Sequence, residues 1–189
     1  MTLLIIGVLL WAFVHLIPSL MPRVRKGLVE KVGEGPYKGF FALDLVIAIL
    51  LMVFGWRSAP VDIWYAAPLA GSPMIVAGLV AIGFVMMGAA NAPTNLKRYV
   101  RHPMLTGVVV WGLAHLLANG DNRSTILFGG LALWALLSIF TISARDGKWS
   151  KPEPVPVQKD VLLVAIGVAL TAVVAYFHEY LSGVPILGL

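Results

Sequence analysis

Six apolar stretches, each with at most one charged residue, divide the chain. They are Thr2–Leu20, Gly39–Trp56, Met74–Ala90, Met104–Ala118, Thr125–Ser143 and Val161–Phe177. Runs of this kind are typical of helices that cross a membrane, since about 20 apolar residues span the hydrocarbon core. The pattern predicts an all-α, polytopic integral membrane bundle of six transmembrane helices, in one domain over residues 1–189.

The composition agrees with a lipid environment. Hydrophobic residues make up 59% of the chain and charged residues 12%, a balance that no soluble domain of this size needs. The absence of cysteine excludes disulfides, thiolate metal sites, iron–sulfur clusters and covalent c-type haem attachment. Any metal or haem is therefore held mainly by histidine or oxygen ligands.

The basic residues predict the orientation. The first, third and fifth connections hold twelve of the fourteen, and the alternate connections hold only Arg57 and Arg123. The positive-inside rule then places these three connections in the cytoplasm and both termini outside. The same topology explains the net charge of +5, so nucleic acid is not an expected partner. The fifth connection contains K-P-E-P-V-P-V, whose alternate prolines predict an extended strip.

Two histidines lie inside apolar segments. His15 follows Trp11 by four residues, and His115 follows Trp111 by the same spacing, so each pair shares one helix face. An ionisable ring in an apolar helix indicates a functional site. Two such helices can flank a flat aromatic cofactor, with imidazole as ligand and indole as wall. The alternative is a pair of packed histidines and interfacial tryptophans.

A basic cluster precedes the fourth segment and includes Arg98, Arg101 and His102. It is a candidate site for phosphate, haem propionates or an acidic nucleotide; the alternative is charge that only sets topology. By depth in the membrane, His102 is nearly as good a partner for His15 as His115 is. At about 1.5 Å per residue, His15 and His115 differ in depth by about 10 Å. His178 and Glu179 are expected at the outer interface.

Arg101–Asp121, R-H-P-M-L-T-G…W-G-L-A-H-L-L-A-N-G-D, and the H-L-I-P-S-L-M-P-R stretch from His15 resemble the NnrU family of bacterial membrane proteins. The resemblance covers essentially the whole chain. It implies a protein of the bacterial inner membrane that supports denitrification, in nitrite and nitric oxide reduction, alongside proteins of nitrogen-oxide metabolism.

The NnrU family is in turn similar to plant ζ-carotene isomerase, a membrane enzyme that contains haem b. This resemblance implies haem b with His15 and His115 as axial ligands. Where the isomerase motif W-C-L-A-H has a cysteine, this chain has Gly112, so the ligand-switching residue is missing. With haem bound, Trp11 and Trp111 are expected beside the ring. The candidate partners of the propionates are Arg23, Arg25, Arg98 and Arg101.

Two other functions stay open at this point. The R-H-P-x-x-x-G element from Arg101 to Gly107 also resembles isoprenylcysteine carboxyl methyltransferases, which implies a methyltransferase-like membrane enzyme using Arg101, His102 and Pro103. The third alternative is a non-catalytic assembly or transport factor. Whether the chain is an enzyme does not follow from these motifs.

The orientation can be tested by cysteine labelling, because the chain contains no native thiol. Cysteines introduced at Ser150, in the fifth connection, and at Ser182, after the last apolar segment, should react from opposite sides of intact cells. An impermeant maleimide added outside is expected to label only the Ser182→Cys variant. Labelling of both positions from outside would contradict the predicted topology.

Overall fold

The computed structural model describes residues 1–184, and these residues are predominantly helical. The helices are α1 (Thr2–Leu20), α2 (Pro22–Val32), α3 (Glu34–Ser58), α4 (Pro73–Ala89), α5 (Pro103–Ala118), α6 (Asn122–Ser124), α7 (Gly130–Asp146) and α8 (Val157–Ser182). A 3₁₀ turn covers Asn95–Arg98, and a π-helical segment, Thr125–Gly129, joins α6 to α7. Within residues 1–184 there is no strand, only an isolated bridge between Ile63 and Asp121. The all-α prediction is confirmed.

Within residues 1–184, four helical stretches are long and apolar enough to cross a membrane. They are Thr2–Leu20, Glu34–Ser58, Asn122–Asp146 and Val157–Ser182. The other two predicted spans fold as the shorter apolar helices α4 and α5, of 17 and 16 residues. The chain is therefore a multi-pass membrane protein, and the count of six spans stays a prediction, as does the single domain.

The first connection differs from expectation, because most of it is the helix α2. Pro22 occupies the first helical turn, where its missing N–H is not needed. Lys26 and Glu30 pair across one turn at 3.8 Å, and Gly33, at φ 85°, ends the helix in a conformation that favours glycine. This short helix carries five charged residues among its eleven, so it gives no apolar run that would predict it.

The helices form two compact units. Unit 1 comprises Met1–Ala66 and Gly120–Lys148, and its core is Leu4, Val8 and Met52. Its helices approach closely at glycines: a Cβ atom on Gly7 would lie 2.8 Å from the Met52 backbone nitrogen, and one on Gly55 would overlap the Leu4 backbone. Close α1–α3 contact therefore depends on these two missing side chains.

Unit 2 comprises Ala67–Asn119 and Trp149–Leu189, and α4 packs against both α5 and α8. A Cβ atom on Gly107 would lie 2.6 Å from the Gly83 carbonyl oxygen. Gly88 faces Leu163 of α8, whereas Gly78 has nothing within 4 Å. The two helix contacts of α4 therefore use different glycines.

Asp160, in the first turn of α8, binds the segment that precedes α5. Its carboxylate accepts hydrogen bonds from the Thr94 hydroxyl, the Asn95 backbone N–H at 2.8 Å and the Asn95 side-chain amide at 2.6 Å. The same amide group exchanges hydrogen bonds with the backbone of Val155. The proline strip that contains Val155 has no regular secondary structure up to Pro156, and its last residue, Val157, begins α8. Sequence reasoning missed Asp160.

The glycine contact in unit 2 gives a matched pair of variants. Gly107→Ala should destabilise the protein by about 1–3 kcal/mol, because the added methyl group meets backbone atoms that cannot rotate away. Gly78→Ala should be neutral or slightly stabilising, since alanine favours helix and the position is open. Thermal unfolding in one detergent measures both; equal melting temperatures would show that close approach at Gly107 is not required.

The Asp160 carboxylate gives a second test. Asp160→Asn should lower the melting temperature, because an amide presents one acceptor oxygen and turns its N–H₂ towards the donors of Thr94 and Asn95. Glu153→Gln, an exposed position in the proline strip, makes the same chemical change and should have no effect. If the two variants have the same melting temperature, the Asp160 hydrogen bonds do not stabilise the fold.

Candidate functional site

In unit 1, His15 lies in a cluster of aromatic rings. Its ring centre is 4.4 Å from that of Trp11, one turn earlier on α1. Trp134 of α7 is 4.9 Å away and Phe41 of α3 is 5.5 Å away. The predicted pairing of Trp11 with His15 is confirmed, while the contribution of α7 and α3 was not visible in the sequence.

One hydrogen bond orients the His15 ring and determines its chemistry. Nδ1 lies 2.9 Å from the carbonyl oxygen of Trp11. Because a carbonyl can only accept, Nδ1 is the nitrogen that donates, and in a neutral imidazole the lone pair then lies on Nε2. Nε2 is therefore the atom that can bind a metal or accept a hydrogen bond.

Unit 1 also contains buried donors without partners. The indole nitrogens of Trp11 and Trp134 and the hydroxyl of Ser138 have no hydrogen-bond partner within residues 1–184. Trp134 is 7% exposed and Ser138, one turn further along α7, is 3% exposed. An unsatisfied buried polar group costs about 1–3 kcal/mol. This cluster therefore suits a ligand that supplies acceptor atoms.

In unit 2, His115 repeats the arrangement. Its ring centre is 4.9 Å from that of Trp111, and its Nδ1 lies 2.9 Å from the Trp111 carbonyl oxygen. Asn119 closes the end of α5 by donating from its side-chain and backbone nitrogens to the His115 carbonyl oxygen, at 3.0 and 2.8 Å. The predicted pairing of Trp111 with His115 is confirmed. In the neutral His115 ring the lone pair again lies on Nε2.

A cavity of about 340 Å³ lies in unit 2 beside this pair, a volume near the lower end of small-molecule pockets. Its walls come from α4, α5 and α8 and are mainly apolar, with His115, Asn119 and His178 among the polar residues. His178 was expected only at the interface. Its position was readable from α8, where Thr171, Val174, Ala175 and His178 recur at helical spacing and all line the cavity.

Comparison with known proteins decides the family. The family model for NnrU, described as "NnrU protein", matches residues 3–186 of the chain. The chain belongs to the NnrU family. No curated protein and no solved structure matches it. The likenesses to ζ-carotene isomerase and to isoprenylcysteine carboxyl methyltransferases therefore stay resemblances of short motifs.

The basic residues of this NnrU protein fall into both units. Arg23 and Arg25 are exposed on α2, in unit 1. In unit 2, Arg98 lies in the 3₁₀ turn, and its buried Nε has no hydrogen-bond partner within residues 1–184. Arg101 and His102 directly precede α5, and the His102 carbonyl oxygen accepts from the Thr106 hydroxyl at 2.9 Å. Their roles towards a cofactor stay predictions.

No preformed metal cluster accompanies these histidines. Among the described residues of this NnrU protein, no group of three or more His, Asp or Glu side chains could hold a metal ion. Trp11 and His15 lie in unit 1, and Trp111 and His115 lie in unit 2. That His15 and His115 bind the same iron stays a prediction. The chemistry that the described residues offer is that of single imidazole ligands in apolar surroundings.

Proposed function

We propose that this NnrU protein supports denitrification, in nitrite and nitric oxide reduction, and that it binds haem b through His15 and His115. Family membership supports the pathway. The hydrogen bond that each histidine makes to its own helix supports the role of both as iron ligands. In both, Nδ1–H donates to the carbonyl four residues earlier, which leaves the lone pair on Nε2.

This arrangement is typical of metal-binding imidazoles. Histidines that bind metals almost always donate their second ring N–H to a carbonyl, carboxylate or water, and this partner determines the tautomer and the ring orientation. Here the helix itself provides the partner, so each ring is oriented before any cofactor binds.

The surroundings fit haem b in two further respects. Aromatic side chains next to each imidazole provide flat apolar walls, from Trp11 and Trp134 in unit 1 and from Trp111 in unit 2. The buried guanidinium nitrogen of Arg98 suits an acidic group, as haem propionates are. Haem b would supply a redox-active iron, which the protein would tune through its axial ligands and their surroundings.

The proposal includes a place in the cell. We place the protein in the bacterial inner membrane with six spans and both termini outside. At about 1.5 Å per residue, α4 and α5 are about 25 Å long, which a bilayer accommodates by local thinning or through their flanking residues. The clustering of basic residues in alternate connections supports this orientation.

Absorption spectroscopy of protein purified in detergent from haem-replete cells tests the cofactor. The wild type is expected to be red, with a Soret band and extractable haem b. His15→Ala and His115→Ala should each lose haem or shift the iron to a high-spin spectrum, because each removes an axial ligand. His102→Ala should retain a near-normal spectrum.

The outcomes separate the parts of the proposal. Colourless wild-type protein would exclude haem binding. Loss of haem in His102→Ala alone would make His102 an iron ligand and contradict the assignment of His15 and His115. Haem stoichiometry should be compared at equal protein recovery, with melting temperatures measured for each variant, so that unfolding is not taken for ligand loss.

A further inference from the structure

Helix α2 has an amphipathic pattern that the packing of the protein does not use. At 3.6 residues per turn, Met21, Val24, Leu28 and Val32 form one stripe. None of the α2 residues is buried, and the three apolar side chains of the helix in this stripe are 42–49% exposed. An apolar stripe of this kind, left uncovered by the protein, needs another apolar surface.

The charges of α2 are arranged around this stripe. The helix carries four basic residues and one acidic residue. By helical spacing, Arg25 and Lys31 border the stripe on its two sides, while Arg23, Lys26 and Glu30 lie opposite it. Basic side chains at the borders of an apolar face can keep their stems on the apolar surface and extend their charged ends to lipid headgroups.

The neighbouring helices place α2 at the membrane surface. α1 ends at Leu20 and α3 begins at Glu34, and both are long and apolar enough to span the bilayer. Only Met21 and Gly33 separate α2 from these two helices. The Arg25 guanidinium also lies over the Tyr37 ring of α3, 5.6 Å from its centre. The helix therefore cannot move far from the interface between lipid and water.

We propose that α2 is an interfacial helix that binds anionic phospholipids. Its apolar stripe inserts at the level of the upper acyl chains, and Arg25 and Lys31 contact phosphate groups on either side. Clusters of Lys and Arg next to a transmembrane helix attract anionic lipids. This role does not depend on haem, so Arg25 has a partner even if no propionate reaches it.

Single introduced cysteines can report the position of each face, since the chain has no other thiol. Leu28→Cys labels the stripe and Glu30→Cys labels the opposite face; both are modified with acrylodan. The full-length protein is reconstituted in phosphatidylcholine, or in an equimolar mixture of phosphatidylcholine and phosphatidylglycerol. Emission maximum and quenching by acrylamide are measured. A neutral quencher is used so that its local concentration does not follow the charge of the helix.

In the mixed membrane, the label at position 28 should emit at shorter wavelength and be quenched several-fold less than the label at position 30. Phosphatidylcholine alone should increase quenching at position 28. Changing Arg25 and Lys31 together to Gln should do the same in the mixed membrane. Changing Arg57 and Lys151 to Gln removes the same charge outside α2 and should have no effect.

Two results would overturn the proposal. Equal quenching at positions 28 and 30 in the mixed membrane would show that the stripe does not face lipid. A label at position 28 that is protected to the same degree with and without phosphatidylglycerol would show that anionic headgroups are not recognised. The first result concerns the apolar stripe and the second concerns the bordering charges, so each part is tested separately.

Discussion

Close approach of helix backbones is the constraint on which both units depend. In lipid there is little hydrophobic gain from bringing two apolar helices together, so their association relies on van der Waals contact and hydrogen bonds. Gly7 and Gly55 allow it between α1 and α3, and Gly83 and Gly107 allow it between α4 and α5. The large side chains next to these glycines then gain contacts. A Cβ atom on Gly83 would lie 3.2 Å from the Cβ atom of Trp111. The missing side chain thus leaves room for Trp111, whose ring lies beside His115.

Polar connections add directional hydrogen bonds at the ends of these helices. In unit 2, Asp160 uses three donors from Thr94 and Asn95. In unit 1, Asp121 caps the turn before α7 by accepting from the Ser124 backbone N–H at 2.9 Å and from its hydroxyl at 2.6 Å. Each carboxylate satisfies backbone and side-chain groups that would otherwise be costly next to hydrocarbon. Helix packing and helix ends are thus stabilised by different chemistry.

The sequence was sufficient for those parts of the fold and site that depend on local pattern. Uncharged runs predicted the helices, with α1 matched at both ends, and the spacing of four residues correctly predicted that Trp11 contacts His15 and Trp111 contacts His115. Helix α2 was missed because its apolar residues are few and its charges resemble a connection. Contacts between distant segments, such as Trp134 with His15, have no local signal, because any of several apolar helices could have supplied that ring.

The π-helical segment Thr125–Gly129 has a consequence for how this chain tolerates changes in length. Its i→i+5 hydrogen bonds hold one more residue per turn than the α-helix on either side. The segment therefore contains a residue that the helix can lose by returning to α geometry, while α7 keeps Trp134 and Ser138 on the same face. Inside α7 there is no extra residue to lose, so a deletion there rotates every later side chain by about 100° about the helix axis. Natural deletions in this helix are thus expected to concentrate within Thr125–Gly129.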